Sequence, residues 1–230
     1  MRSKFYKNKN VIITGASGGL GYELSLQLHE FGANLFCVVN KNADISKLDF
    51  CKKIYRCDFT KMEDVDNLIW NNIFNEVDIL INCAGIFPMK SLEETSLEEL
   101  DRVMNINFRV PFILTQRATK AMKKQKQGLV VNVGSSSSYN GSPTSGAYCI
   151  SKHALLGMNR SYSKELKKYN IRSLIFSPGS IKTKMGKVDV SQDYETFLDP
   201  KEVAEYILYS SLFNNEMFID ESRMNRISTL

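Results

Sequence analysis

Short, continuously apolar segments recur along the whole chain, and this pattern constrains the fold more than any other feature of the sequence. Such runs are typical of parallel strands that are covered on both faces. Segments with helical spacing separate them, so the sequence predicts an α/β fold. We expect a doubly wound, mostly parallel, seven-stranded sheet with helices on both faces. The predicted strands are residues 11–14, 34–39, 53–57, 77–83, 129–133, 171–177 and 216–219.

The segments between these strands carry helix start and stop signals. An apolar stripe at helical spacing ends at Gly32, and its members are Leu20, Leu24, Leu28 and Phe31. Three further helix starts show capping patterns. They are Thr60 with Glu63, Ser96 with Glu99, and Asp199 with Pro200 and Glu202. Residues 182–198 follow no regular pattern and are predicted to form a mobile loop.

Length and composition favour a single domain over residues 1–230. Apolar residues make up 43% of the chain and charged residues 24%, which is ordinary for a globular protein. No apolar run approaches the roughly 18 residues that span a bilayer. Residues 1–10 are polar and basic, unlike the core of a signal peptide. We therefore expect a cytoplasmic protein that does not bind membranes.

The charged residues and the cysteines suggest no special partner. The formal net charge is +5, and its one local cluster is Lys120, Lys123, Lys124 and Lys126. Cations at the end of a helix explain this cluster better than a nucleic-acid-binding surface does. The five cysteines form no Cys-x-x-Cys pair and are interpreted as small buried residues in a reducing compartment. The two histidines lack metal-binding spacing, so no metal is expected.

A glycine-rich segment, Thr14-Gly15-Ala16-Ser17-Gly18-Gly19-Leu20-Gly21, lies between the first predicted strand and the first predicted helix. Its glycines permit a tight turn and a close approach of the backbone. The amino end of the helix then offers free N–H groups to a pyrophosphate. A loop that merely connects strand to helix is the alternative. The position between a strand and an amphipathic helix favours dinucleotide binding.

Tyr148 and Lys152 are four residues apart in a predicted helix over residues 147–168, so they share one face of it. The spacing alone proves little, because tyrosine and lysine are both common in this chain. The pair nevertheless suits proton transfer, since hydride delivery to a carbonyl leaves an alkoxide that needs a proton. The pKa of tyrosine is about 10, and a nearby ammonium favours the phenolate. We expect Lys152 to lower the pKa of Tyr148.

The end of the second predicted strand indicates the type of nucleotide. NAD sites often place an acidic residue there to bind the ribose 2′-hydroxyl. In Val38-Val39-Asn40-Lys41 no acid occupies this place, and Lys41 can pair with a 2′-phosphate. Asp44 is the competing candidate for a ribose ligand. The sequence therefore predicts NADP(H) in preference to NAD(H).

Together these motifs resemble the short-chain dehydrogenase/reductase family in its compact, single-domain type, which has a Rossmann-type fold. The resemblance runs from about residue 10 to about residue 220. It implies that Tyr148 and Lys152 handle the proton, and that Ser135 holds the substrate oxygen. It also implies that Asn107 helps to bind a water in the proton relay to Lys152.

Two of these assignments have competitors in the sequence. Ser135 begins a run of four serines, and the bland interpretation of this run is a polar loop. The residue before it, Gly134, stands where the family usually has another serine. Asn105 competes with Asn107, which could also be an asparagine that ends a helix segment.

The resemblance further implies a set of cofactor contacts. Asp58 matches the family residue beside the adenine ring. Two segments, Asn82-Cys83-Ala84-Gly85 and Pro178-Gly179-Ser180-Ile181-Lys182-Thr183, are similar to family motifs near the adenosine and the nicotinamide. The full set implied to bind the cofactor is Gly15, Ser17, Gly19, Leu20, Gly21, Asn40, Lys41, Asp58, Phe59, Asn82, Ala84, Gly85, Tyr148, Lys152, Pro178, Gly179, Ile181 and Thr183.

The function that the resemblance implies is hydride transfer between nicotinamide and a small-molecule carbonyl or secondary alcohol. A regulatory protein of the same fold that binds NAD(P) without turnover is the alternative. Sugar-nucleotide epimerases resemble longer chains, and a nucleic-acid-binding module lacks a recognisable motif here. Residues 86–89, residues 139–145 and the loop after Thr183 are expected to form a partly apolar substrate pocket. A homodimer or homotetramer is expected, because family members often assemble through the helices that start here near Pro111 and Ala147.

Overall fold

The computed structural model describes residues 2–69, 72–213 and 217–227. Its strands are β1 (Asn10–Thr14), β2 (Asn34–Val39), β3 (Lys53–Arg56), β4 (Ile79–Asn82), β5 (Gly128–Val133), β6 (Ile171–Pro178) and β7 (Glu221–Met224). They form one sheet in the order β3-β2-β1-β4-β5-β6-β7, and neighbouring strands are parallel throughout. The predicted α/β fold class, a doubly wound seven-stranded sheet, is confirmed.

The helices are α1 (Arg2–Tyr6), α2 (Gly19–Glu30), α3 (Met62–Ile69), α4 (Leu97–Met104), α5 (Val110–Gln125), α6 (Gly146–Glu165) and α7 (Pro200–Ser210). A π-helical turn, Asn105–Arg109, joins α4 to α5. Helices α2 and α7 pack on one face of the sheet, whereas α3 and α5 pack on the other. No helix within the described ranges is long and apolar enough to cross a bilayer.

Strand β1 shows why its sequence is continuously apolar. Val11 and Ile13 belong to the core on the α2 side, and Ile12 belongs to the core on the α3 side. All three side chains are at most 1% exposed. Because successive residues of a strand face opposite sides, a strand covered on both faces must be apolar at every position.

The sheet order reverses at β1, whose neighbours are β2 on one side and β4 on the other. In open parallel sheets, ligands bind at such a switch point, outside the carboxyl ends of the strands. Thr14 ties these ends together, because its Oγ1 accepts hydrogen bonds from the backbone N–H groups of Cys83 and Ala84, both at 3.1 Å. The fold therefore places the glycine-rich segment after β1 beside the segment after β4.

Six of the seven predicted strands are confirmed to within two residues at each end. The seventh prediction, residues 216–219, is wrong. Residue 216 lies outside the described residues, residues 217–219 have no regular structure, and the strand is Glu221–Met224 instead. This strand lies at the edge of the sheet and is only partly buried, so apolar residues did not mark it.

The helix signals were correct with one exception. Leu24 and Leu28 of the predicted stripe are fully buried, and Gly32 adopts a positive φ of 81° just after α2. The capping box of Ser96 and the cap of Asp199 are both present. The predicted capping box of Thr60 and Glu63 is wrong, because the Thr60 hydroxyl donates to the Asp58 carboxylate at 2.7 Å and α3 begins only at Met62.

The lysine cluster lies at the end of a helix, as predicted, whereas the prediction that the cysteines are buried is only partly correct, because Cys51 and Cys83 are half-buried. Lys123 and Lys124 are in the last turn of α5, and Lys126 follows in the left-handed conformation at a φ of 54°. All five cysteines are free thiols, of which Cys37, Cys57 and Cys149 are buried. Residues 182–198 contain two short 3₁₀ turns, Gly186–Val188 and Tyr194–Thr196.

Candidate active site

A long cleft runs along the carboxyl edge of the sheet and collects most of the predicted site residues. Its floor is the glycine-rich segment, and Asp58, Ala84, Ser135 and Thr183 line its walls. Of the predicted cofactor contacts, only Lys41 and Asn82 are missing from the described residues that line this cleft. The other predicted contacts in the lining are Gly15, Ser17, Gly19, Leu20, Gly21, Asn40, Phe59, Gly85, Tyr148, Lys152, Pro178, Gly179 and Ile181.

Three glycines of the segment have no space for a side chain. A Cβ on Gly21 would lie 2.1 Å from the carbonyl oxygen of Gly15, and one on Gly19 would lie 2.5 Å from Cγ2 of Thr183. Gly15 has a positive φ of 71°, and a Cβ there would lie 2.8 Å from Cα of Ala84. The backbone is thus open at the amino end of α2, which begins at Gly19. This cradle fits the pyrophosphate of a dinucleotide.

Contrary to the prediction from the sequence, Lys41 does not line the cleft. Its Nζ forms an ion pair with the Asp64 carboxylate at 2.7 Å, on the side of α3. That pairing raises the pKa of Lys41 and lowers the pKa of Asp64. The second-strand end of the cleft is lined instead by Asn40, Asn42, Asp44, Ser46 and Lys47.

Asn82 lies inside the sheet and does not line the cleft. Its Nδ2 donates to Asn132 Oδ1 at 2.9 Å and to Thr115 Oγ1 at 3.2 Å. Asn132 in turn donates to Asn159 Oδ1 of α6 at 3.0 Å. These amides are at most 2% exposed and link β4, β5 and α6 below the cleft. Neither Asn132 nor Asn159 was predicted, although the one polar side chain inside strand β5, that of Asn132, was a usable signal.

Helix α6 brings the predicted proton-handling group into the cleft. Tyr148 is 8% exposed, Lys152 is 5% exposed, and Ser135 from the end of β5 is 9% exposed. The Lys152 ammonium donates to the carbonyl oxygen of Val133 at 2.8 Å and lies 5.7 Å from the centroid of the Tyr148 ring. Phe87 packs edge-on against that ring at 4.8 Å. Tyr148, Lys152 and Ser135 therefore lie together in a part of the cleft where their side chains are almost completely buried.

Burial changes the pKa values of Tyr148 and Lys152 more than we expected from the sequence. Removal from water raises the pKa of Tyr148 to about 12, although a hydrogen bond with the Ser135 side chain opposes the rise. Burial likewise lowers the pKa of Lys152 to about 8. The expected lowering of the tyrosine pKa by its lysine neighbour is not seen: desolvation of the phenolate is the main cause of the shift, and Lys152 is not among the groups that lower it.

Asn107 lies in the π-helical turn and is fully buried. Its Oδ1 accepts from the N–H of Ile86 at 2.9 Å, and its Nδ2 donates to the Ile86 carbonyl and to Ser151 Oγ. A Cβ on Gly85 would lie 3.3 Å from this Oδ1 and 3.8 Å from Nζ of Lys152, so the two groups flank the same glycine. Asn105, the competitor, accepts from Arg109 at 2.8 Å instead.

The serine run forms a tight turn rather than a loose loop. Ser135 Oγ accepts from the N–H of Ser137, and Ser138 Oγ accepts from the N–H of Ser135, both at 3.1 Å. A Cβ on Gly134 would lie 2.4 Å from Ser177 Oγ, so a serine at this position would require that side chain to shift. This turn thus holds the Ser135 hydroxyl near the carboxyl end of β5.

The end of the cleft near Tyr148 has a mixed lining. Phe87 and Met185 contribute apolar surface, as the sequence predicted. The segment after the serine turn contributes only small and polar residues, namely Asn140, Gly141, Ser142, Thr144 and Ser145. Tyr139 points away to Glu221, and Met89 is not among the described residues that line the cleft.

Comparison with known proteins shows which family this chain is similar to. The sequence model of the family described as short chain dehydrogenase matches residues 9–193. An uncharacterized oxidoreductase of Thermotoga maritima is 32% identical over 206 residues, which is 84% of this chain and 80% of that protein. A 3-oxoacyl-(acyl-carrier-protein) reductase of Rickettsia bellii is 32% identical over 77% of this chain and 74% of its own. The structure of 4-hydroxyisoleucine dehydrogenase complexed with NADH has a TM-score of 0.84 at 26% identity, covering 95% of this chain and 98% of that one.

Proposed function

The chain belongs to the short-chain dehydrogenase/reductase family of NAD(P)-dependent oxidoreductases, and we propose that Tyr148 is its general acid and base. The reaction proposed is hydride transfer between nicotinamide and the carbonyl or secondary alcohol carbon of a small molecule. One observation carries this proposal: Ser135, Tyr148 and Lys152 converge in the cleft whose floor is the glycine cradle. A bound nicotinamide cofactor supplies or accepts the hydride.

The chain's own residues manage the proton. At neutral pH the raised pKa of Tyr148 keeps the phenol protonated, which is the form that donates a proton to the substrate oxygen during carbonyl reduction. The Ser135 hydroxyl holds the same oxygen, where negative charge develops. Lys152 remains largely charged below its pKa of about 8 and is oriented by the Val133 carbonyl.

We propose that Asn107 acts together with Lys152 in handling the proton. Its amide is fixed by three hydrogen bonds, and its Oδ1 lies on the side of Gly85 that also faces the lysine. A water between that oxygen and the ammonium would extend a proton path away from Tyr148. The role proposed for Asn107 therefore depends on the orientation of its buried, neutral amide.

We propose NADP(H) as the preferred cofactor, with Gly15, Gly19 and Gly21 at the pyrophosphate. No acid follows β2 directly, and the Asp44 carboxylate accepts from the N–H of Ser46 at 2.9 Å. Lys47 lines the same end of the cleft and can approach a 2′-phosphate. The ratio of kcat/KM for NADPH to that for NADH tests this preference, and a clear preference for NADH would contradict it.

A homodimer or homotetramer through α5 and α6 is also proposed. Phe112 on α5 is 41% exposed and Ile150 on α6 is 44% exposed, so each of these helices offers an apolar side chain to a partner copy. Phe112 also lies 6.3 Å from Tyr162 of α6, centroid to centroid. Light scattering with Phe112→Glu tests this interface: the variant should be smaller than the wild type.

The decisive experiment for the activity combines a substrate panel with Tyr148→Phe. Ketones, sugars and acyl thioesters are screened by oxidation of NADPH, and the variant is assayed on an accepted substrate. We expect kcat to fall by about 10²–10⁴, the usual contribution of a general acid, with cofactor binding retained. Tyr206→Phe, at an exposed position of α7, is the control. Near-normal kcat in Tyr148→Phe, or cofactor binding without turnover across the panel, would contradict the proposal.

A further inference from the structure

A carboxylate at the start of β7 connects two elements that carry proposed catalytic residues. Glu221 Oε1 accepts a hydrogen bond from the Tyr139 hydroxyl at 2.6 Å. Both of its oxygens also accept from Arg160, through Nε and Nη2, each at 2.9 Å. Tyr139 closes the 3₁₀ turn that begins at Ser135, and Arg160 lies on α6, the helix of Tyr148. Glu221 therefore spans the gap between these two elements.

Tyr139 is fixed on more than one side. The guanidinium of Arg223 lies 4.2 Å from the centroid of its ring. The ring also packs against the apolar cluster that includes Leu155 and Leu156 of α6. Within its own turn, the N–H of Tyr139 donates to the Ser136 carbonyl at 3.2 Å. Tyr139 is thus an attachment point between the serine turn and the rest of the protein.

The charge states suit a strong contact. Arg160 lowers the pKa of Glu221, so the carboxylate stays ionised at neutral pH. Burial raises the pKa of Tyr139 to about 12, and the bond to Glu221 adds to the rise, so the hydroxyl keeps its proton. A neutral hydroxyl that donates to a carboxylate forms one of the stronger kinds of hydrogen bond. The bidentate bond from Arg160 adds directional specificity that an ordinary surface ion pair lacks.

We propose that Glu221 is a positioning residue that aligns Ser135 with Tyr148 by holding the serine turn against α6. The inference rests on the proposed function, in which both hydroxyls must reach one substrate oxygen. Misplacement of a reacting group by about 1 Å can reduce a rate by roughly 10². Loss of this contact should therefore slow turnover without removing any group that touches the substrate or the cofactor.

Tyr139→Phe is the sharpest test, because it deletes one hydroxyl and keeps the ring. We expect kcat to fall about tenfold, with the KM of the cofactor unchanged within about twofold, since the glycine cradle is built separately. Glu221→Ala should have a similar effect, and the double variant should be no slower than the slower single one. The matched control is Glu165→Gln, which changes a carboxylate at the end of α6 that pairs with Lys123 at 3.3 Å and should leave kcat unchanged.

Backbone hydrogen–deuterium exchange over residues 135–139 gives a reading that needs no turnover. It should increase in Tyr139→Phe and in Glu221→Ala, and should not change in Glu165→Gln. Wild-type kcat in Tyr139→Phe, multiplicative losses in the double variant, or unchanged exchange would each overturn the proposal. If Glu221→Ala does not fold, Tyr139→Phe alone decides. If the wild type reduces nothing, the proposed function fails, whereas the exchange data still test the Glu221 contact.

Discussion

Lys152→Met should make the folded protein more stable while it abolishes most of its activity. Burial lowers the pKa of Lys152 from 10.5 to about 8. The difference of roughly 2.5 units corresponds to about 3 kcal/mol, at 1.36 kcal/mol per unit, by which the charged form destabilises the fold. Methionine removes this penalty and fills similar space. It also leaves the Val133 carbonyl without its lysine donor, which costs about 1–3 kcal/mol.

The net gain is about 1 kcal/mol at neutral pH, and its sign depends on pH. The unfolded chain binds more protons than the folded one between pH 8 and 10.5, so the stability of the wild type rises with pH in this window. The penalty is fully present below about pH 8 and fades above it. The advantage of Lys152→Met should therefore shrink, and then reverse, between about pH 7 and about pH 9.5.

Urea unfolding of both proteins across this window measures the effect, and thermal unfolding should show a rise of roughly 2–4 °C at neutral pH. Lys120→Met is the control, because Lys120 is an exposed lysine of α5, and its change should stay within about 0.5 kcal/mol. A variant that is clearly less stable than the wild type at pH 7, or a stability difference that does not vary with pH, would refute the reasoning.

Three other predictions test the remaining parts of the site. Gly21→Ala places a Cβ 2.1 Å from a backbone oxygen and should weaken cofactor binding at least about tenfold in a fluorescence titration, whereas Gly157→Ala, with nothing within 4 Å, should not. Asn107→Ala removes three buried hydrogen bonds and should lower the free energy of unfolding by about 1–3 kcal/mol and kcat by about tenfold or more; wild-type kcat would contradict its proposed role. Asp64→Asn weakens the ion pair of Lys41 and should raise the preference for NADPH over NADH about two- to fivefold; an unchanged ratio would mean that Lys41 does not approach the 2′-phosphate.

The parts of the fold that could be predicted are those where burial dictates residue type. Strand β5 was recognisable because both of its faces are covered, so its sequence is apolar except at Asn132. Strand β7 was missed because it is a short edge strand with polar side chains, held by pairing with β6 and by contacts of Glu221. Its place depends on contacts between residues that are distant in the chain, which no local pattern records.

The candidate site likewise has parts that could be predicted from the sequence and parts that could not. Gly15, Gly19 and Gly21 were predictable because their spacing follows from the local geometry of a strand–turn–helix unit. The direction of Lys41 was not, since it depends on Asp64 of α3, an element that only the tertiary structure brings near. The pKa of Tyr148 was misjudged for a related reason: the sequence shows the neighbouring lysine but not the depth of burial.

The high pKa of Tyr148 favours one direction of the proposed reaction. To bring the phenol pKa from about 12 to 7 would take about 7 kcal/mol, at 1.36 kcal/mol per unit. The Lys152 ammonium lies 5.7 Å from the centroid of the Tyr148 ring. Two opposite unit charges at about that separation attract by roughly 3 kcal/mol at an effective dielectric constant of about 20, so the lysine alone does not supply the difference. The phenol therefore keeps its proton at neutral pH and is ready to protonate an alkoxide. The reverse reaction needs about 4 kcal/mol more, which the positive charge of an oxidised nicotinamide would have to supply, so these residues suit carbonyl reduction better than alcohol oxidation.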